Sequence, residues 1–243
     1  IVRSLVGSEM CIRDRKFYWG AEGKDETILS TGDIISMPTN MFRAFENAGD
    51  EEGLIFVVLG GDDPGIITWV PSVLEKAKKT GMALLNDNSL IDLSLNEIPK
   101  GKSILEPISE EEIKKFDNYK LDQLEKFICK NNENSKQVNK INDNFDLIQI
   151  LGNKFENKEY APLINQDTGF NLSILKCKNG QITNLKFEKP TILFSRTGKW
   201  EIMIDDFQCI LNPKDTISIP INSNVSIKIN ENEDCYLNCV TQI

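Results

Sequence analysis

A chain of 243 residues with 40% hydrophobic and 27% charged side chains has apolar material for one large globular domain or two modest ones. Its net charge of −9 repels a phosphate backbone and argues against nucleic acid as a partner, and no apolar run approaches the length of a membrane span. The chain has no histidine, which closes every route that needs an imidazole, Ser-His-Asp and Cys-His arrangements included.

Residues 1–15 are set aside. The run Ser4-Leu-Val-Gly-Ser-Glu-Met-Cys-Ile-Arg-Asp-Arg15 reads as a translated sequencing-adaptor artefact, with an amphipathic strand or helix as the other reading. It lacks the basic start, apolar core and small-residue cleavage site of a signal peptide. The natural polypeptide is then expected to start further upstream, leaving the first domain without its N-terminal part.

Residues 16–60 predict strands. Phe17-Tyr-Trp19 and Thr27-Ile-Leu29 are β-prone, and Gly20, Gly23 and Gly32 mark turns. Leu54-Ile-Phe-Val-Val-Leu59 is a continuous apolar run that predicts a buried strand. Gly60-Gly-Asp-Asp-Pro-Gly65 is turn-rich; its two aspartates and the missing Lys-Ser/Thr argue against a phosphate cradle. Pro71 to Gly81 predicts a short helix, with proline at its start and glycine past its end.

A helical linker is expected over 71–144. Ser109-Glu-Glu-Glu112 has the form of a capping box, and Ile113, Phe116, Leu121, Leu124, Phe127 and Ile128 follow at helical spacing. That stripe predicts a packing face against a barrel. Lys130 to Asn139 is a polar loop. Residues 145–243 return to short strands and turns, the pattern of an antiparallel sandwich or barrel.

An internal repeat links the two β regions. At an offset of 182, Asp33 matches Asp215, Ile35 matches Ile217, Ser36 matches Ser218, Pro38 matches Pro220 and Asn40 matches Asn222. Six cysteines, at 11, 129, 177, 209, 235 and 239, show no CxxC spacing; they read as small buried hydrophobes in a reducing, cytoplasmic setting.

The segment Gly32-Asp-Ile-Ile-Ser-Met-Pro38-Thr-Asn40-Met-Phe-Arg43-Ala-Phe-Glu-Asn47 has the spacing of the second cupin motif: Gly, five residues, Pro, one residue, Gly, two residues, His, three residues, Asn. With Thr68-Trp-Val-Pro71, Gly198-Lys-Trp200 and Asn212-Pro-Lys-Asp-Thr-Ile-Ser-Ile-Pro220, it makes the chain resemble bicupin proteins of the RmlC-like superfamily. The resemblance implies a mainly β fold of two jelly-roll β-barrels, the first N-terminally truncated (16–70) and the second at 145–243, joined by the helical linker. It also implies a divalent metal held by His-x-His, a Glu and a last His. Here Arg43 stands at that last position, Asn40 and Asn222 replace the motif glycine, and the other ligands of the first copy would lie upstream. In the second copy the ligand positions fall on Lys186 and Glu188, or on Thr191 and residues 184–187, with Val225 at the last one. No cofactor is therefore expected in this chain; a divalent metal is expected only with ligands supplied from upstream.

The candidate site is Arg43 with Phe42, Phe45 and Trp19 as an apolar wall. One reading points Arg43 into the barrel, its fork pairing with an anionic ligand. The other makes it a rim arginine paired with Glu46. Asp62-Asp63 and Asp205-Asp206 read as solvated turn residues before acid/base pairs. Three functions stay open: a metal-free cupin binding a small molecule, a metal-dependent dioxygenase or lyase with ligands upstream, and a scaffold forming a homodimer.

Overall fold

The structure is a computed structural model that describes residues 7–12 (backbone alone), 14–60, 67–131, 138–153 and 161–243. Most of the Gly60–Gly65 loop, including Asp62 and Asp63, and most of the polar 130–139 stretch lie outside the described residues. The chain is mainly β and divides into two compact units: Ile1–Gly32 with Met37–Glu125, and Asp33–Ser36 with Lys126–Ile243. Among the described residues no helix is long and apolar enough to cross a membrane.

The chain opens with β1 (Gly7–Ile12), β2 (Arg15–Trp19), β3 (Asp25–Leu29), β4 (Ile34–Met37), β5 (Arg43–Asn47) and β6 (Leu54–Leu59). In the first unit β2 runs antiparallel between β3 and β5, and β1 runs antiparallel to β6. The stretch set aside in the sequence thus supplies β1 and the first residue of β2. Alternation along β2 sends Arg15, Phe17 and Trp19 inward. β6 differs from the expected buried strand. Leu54, Val57 and Leu59 are 39%, 46% and 44% exposed, because β6 pairs only with β1 among the described residues.

The helix expected at 71–81 is α1 (Pro71–Lys79), opened by proline and followed by Gly81 at φ 81°. A hairpin of β7 (Met82–Leu84) and β8 (Leu90–Asp92) comes next. The capping box is present: the Glu112 N–H donates to Ser109 Oγ at 3.3 Å, and the Ser109 N–H donates to Glu112 Oε2 at 2.9 Å. It opens only the four-residue α2 (Glu110–Ile113), so the continuous helical stripe is not formed. The chain leaves the helix because the Asp117 N–H donates to Asn40 O at 2.9 Å. A second short helix, α3 (Leu121–Leu124), and a 3-10 turn at Glu125–Phe127 follow. Phe116 and Leu124 still pack inward, from separate pieces.

The second unit holds β9 (Ile128–Cys129), β10 (Val138–Lys140), β11 (Phe145–Gly152), β12 (Ile164–Asn165), β13 (Phe170–Lys186), β14 (Thr191–Ser195), β15 (Trp200–Ile204), β16 (Phe207–Leu211), β17 (Thr216–Ile219) and β18 (Asn224–Gln242). The main sheet runs β10-β11-β13-β18-β14-β17; β15 joins the first half of β18 and carries β16. Its core is apolar: Phe145, Leu193, Trp200, Ile202, Val225 and Leu237 are essentially inaccessible. At roughly 1.5–3 kcal/mol for each large side chain, such burial is the main term holding the unit together. The segment Asp33–Ser36 also belongs here. Ile34 and Ile35 pair with Cys129 and Ile128, and the Asp33 carboxylate accepts from the Asn131 N–H at 2.8 Å and Lys130 Nζ at 3.0 Å.

The repeat is structural. β3 and β16, and β4 and β17, share both bounds at the offset of 182, and Asn40 and Asn222 take the left-handed conformation at φ 59° and 63°.

Candidate functional site

Each unit contains a three-stranded element of the same register. In the second, Trp200 pairs with Leu211 and Ile229, Ile202 with Cys209 and Ile227, and Ile204 with Phe207 and Val225. In the first, Arg15 pairs with Leu29 and Asn47, Phe17 with Thr27 and Phe45, and Trp19 with Asp25 and Arg43. Cross-strand partners share a face. The inner face of the second element is therefore apolar, while that of the first carries Arg15, Asp25, Thr27, Arg43 and Asn47 among its aromatics.

Arg43 is 6% exposed, beside Trp19. Phe17 stacks on Trp19 with centroids 5.7 Å apart and meets Phe45 at 5.2 Å. Trp19 Nε1 donates to Tyr119 O at 2.7 Å, which fixes the indole. Glu46 lies three residues from Arg43, on the opposite face, where its carboxylate accepts from the Tyr18 hydroxyl. That hydrogen bond, with a smaller desolvation effect, pushes the Tyr18 phenol up to about 12.

The structure brings Trp19, Arg43 and Phe45 together and adds Phe17. Phe42, which precedes β5, is buried and stacks on Phe116 at 4.1 Å. The sequence reading missed Arg15, because its segment was set aside. Arg15 is buried, and its Nη1 donates to Asp14 O at 2.8 Å and to Asn47 Oδ1. A Cβ at Gly53 would fall 1.0 Å from Arg15 Nη2, so a glycine there makes room for the guanidinium. Arg15 ties β2 to β5 at the far end of the face from Arg43.

In the second unit Val225 is enclosed in the core, Lys186 and Glu188 are exposed, and buried Thr191 donates to Lys189 O or shares its proton with Thr241 Oγ1, each at 3.1 Å. Asp205 is a turn residue at φ 50°, accepting from the Asn224 N–H at 2.9 Å. The five described cysteines are free thiols and four are buried; desolvation pushes Cys177 up to about 11 and Cys239 up to about 12. Two surface clefts lie elsewhere, about 460 Å³ beside β16 and β17 and about 390 Å³ against α1 and β7, and neither contains a predicted site residue.

No family model matches the sequence, and no curated protein matches it. Solved structures do. An RmlC-like cupin from Shewanella frigidimarina matches over 44% of this chain and 82% of its own, at 7% identity and a TM-score of 0.34. A cupin 2 conserved barrel domain protein from Leptotrichia buccalis covers 98% of this chain and 73% of its own, at 10% identity and a TM-score of 0.46. A salicylate 1,2-dioxygenase variant from Pseudoaminobacter salicylatoxidans covers 98% of this chain and 64% of its own, at 11% identity and a TM-score of 0.52. This chain has the cupin fold.

At the positions where the resemblance implies the last metal ligand, the described residues offer no metal donor. Arg43 holds the position of the motif's last histidine; its guanidinium stays protonated and has no lone pair to donate. Val225 holds the same position in the second copy, inside hydrocarbon. Among the described residues no group of three Cys, Asp or Glu side chains gathers to replace them.

Proposed function

We propose that this cupin binds a small anionic molecule, of the carboxylate class, against the inner face of β3, β2 and β5. Arg43 is the anchor, and Trp19, Phe17 and Phe45 form the apolar wall. One observation carries the reading: the same register position holds Val225 in a sealed apolar core in one copy and a buried arginine flanked by aromatics in the other. Burying a guanidinium costs several kcal/mol unless it is paired, which gives the position a use beyond packing. Arg43 has interactions of its own within the protein, so an incoming carboxylate joins or replaces one of them. In a water-poor setting a two-pronged arginine–carboxylate contact is stronger than the same contact at the surface. The reading involves no reaction.

The test is calorimetric titration with a panel of monocarboxylates and dicarboxylates. Binding by at least one, with Arg43→Ala weakening it at least tenfold (about 1.4 kcal/mol) and Arg43→Lys restoring part, is the expected result. Equal affinity for the parent and a folded Arg43→Ala chain overturns it.

A further inference from the structure

Two of the free thiols face each other. Cys177 on β13 pairs directly with Cys235 on β18, and both side chains enter the apolar core of the second unit. Residues opposite one another in an antiparallel pair have Cα atoms about 4.5–5.5 Å apart, within the range of about 4.4–6.8 Å that a disulfide bridges. Among the described residues no other two cysteines are cross-strand partners. Cys129 faces Ile34, Cys209 faces Ile202, and Cys239 lies between Ser173 and Leu193. The pair also stands at a break. Directly beyond it the register of β13 and β18 shifts: the next partners are Asn179 and Asn230, so β18 passes through four residues where β13 passes through one. The ladder between the two longest strands is interrupted there, and a covalent tie would hold it.

Cys177 lies where a small reagent can approach. It lines a surface cleft of about 330 Å³ with Asp146, Lys176 and Asp234, the last two joined by an ion pair at 2.9 Å. Cys235 Sγ donates to Glu233 O at 3.5 Å, so closing the pair takes a rotation of that side chain between strands already at bridging distance. We propose that Cys177 and Cys235 form a reversible disulfide that pins β13 to β18 at the break in their register. The oxidant is a small-molecule disulfide of the glutathione class. The Cys177 thiolate attacks one of its sulfurs, that S–S bond breaks, and the departing thiolate takes up the proton that Cys177 gave. The Cys235 thiolate then attacks the Cys177 sulfur of the mixed disulfide, and the second small thiolate leaves with the Cys235 proton. Two protein thiols are oxidised, and one small disulfide is reduced to two thiols. Burial pushes both thiols above their ordinary value, so little thiolate is present at neutral pH and the exchange is slow. The proposal does not depend on what Arg43 binds.

The test incubates the folded chain with oxidised glutathione for increasing times, blocks the remaining thiols by alkylation and maps the peptides by mass spectrometry. The expected main product links the peptides carrying Cys177 and Cys235. Cys209→Ser keeps that link, while Cys235→Ser loses it and collects glutathione on Cys177. Oxidation is expected to raise the melting temperature by at least about 5 °C, a rise that dithiothreitol reverses and that Cys235→Ser lacks. The proposal is overturned if Cys177 and Cys235 stay reduced under conditions that modify the half-buried Cys209, or if either links instead to a third cysteine. A linked chain that melts no higher than the reduced one also overturns it.

Discussion

Tyr18 and Glu46 show how one strand keeps two chemistries apart. On the inner face Arg43 is buried opposite Trp19; three residues along, on the outer face, Glu46 accepts a hydrogen bond from the Tyr18 hydroxyl. The phenol is held neutral, up to about 12 against an ordinary value near 10. A folded-state value above the unfolded one means that the contribution is complete below pH ~10 and is lost as pH rises through about 12. Spectrophotometric titration is expected to show a late component that Tyr18→Phe removes, beside the phenol of Tyr119, which burial also raises, and the pH dependence of melting over that window is expected to shrink with it. Parity also explains how far the site was legible. Trp19, Arg43 and Phe45 follow from even spacing along strands and from the motif. Phe42 was grouped with them by proximity in sequence, yet it precedes β5 and its ring stacks on Phe116. Arg15 was invisible for another reason: its segment resembled an artefact, and no pattern within it signals a buried tie to Asn47.

Turns were the elements best marked in the sequence. Gly198, between β14 and β15, sits at φ 82°, and a Cβ there would meet Cys235 Sγ at 2.4 Å and Cys235 Cβ at 2.7 Å. Gly198→Ala therefore combines a left-handed backbone penalty with overpacking in the core, a loss of roughly 2–4 kcal/mol that a denaturant melt measures. The Ser109 capping box was equally legible, since its two hydrogen bonds are local. The length of the helix it opens was not. Helical spacing from Ile113 to Ile128 marked side chains that pack, but the bond from Asp117 to Asn40, residues far apart in sequence, ends the helix after four residues. β6 failed in the same way: an apolar run carries no sign of whether both its edges are covered.

For the molecule as a whole, the repeat at an offset of 182 was the strongest signal in the sequence, and two pairs of strands keep it to the residue. It also shows where the copies part, one inner face being apolar and the other carrying charged and polar side chains. Val225→Arg is expected to destabilise the second unit by roughly 3–5 kcal/mol, having no aromatic-and-polar setting to receive the charge. Ser226→Arg, on the half-exposed face of the same strand, is expected to stay within about 0.5 kcal/mol, and thermal melts of the two variants decide it. The segment Asp33–Ser36 has a consequence for biosynthesis. It leaves the ribosome well ahead of Lys126 and everything after it, yet it belongs to that later unit. During translation the edge that Ile128 and Cys129 cover stays open to solvent or to a chaperone until those residues emerge. A gene fragment starting at Lys126 would encode a unit lacking one of its own strands, so this protein cannot be divided at a single codon.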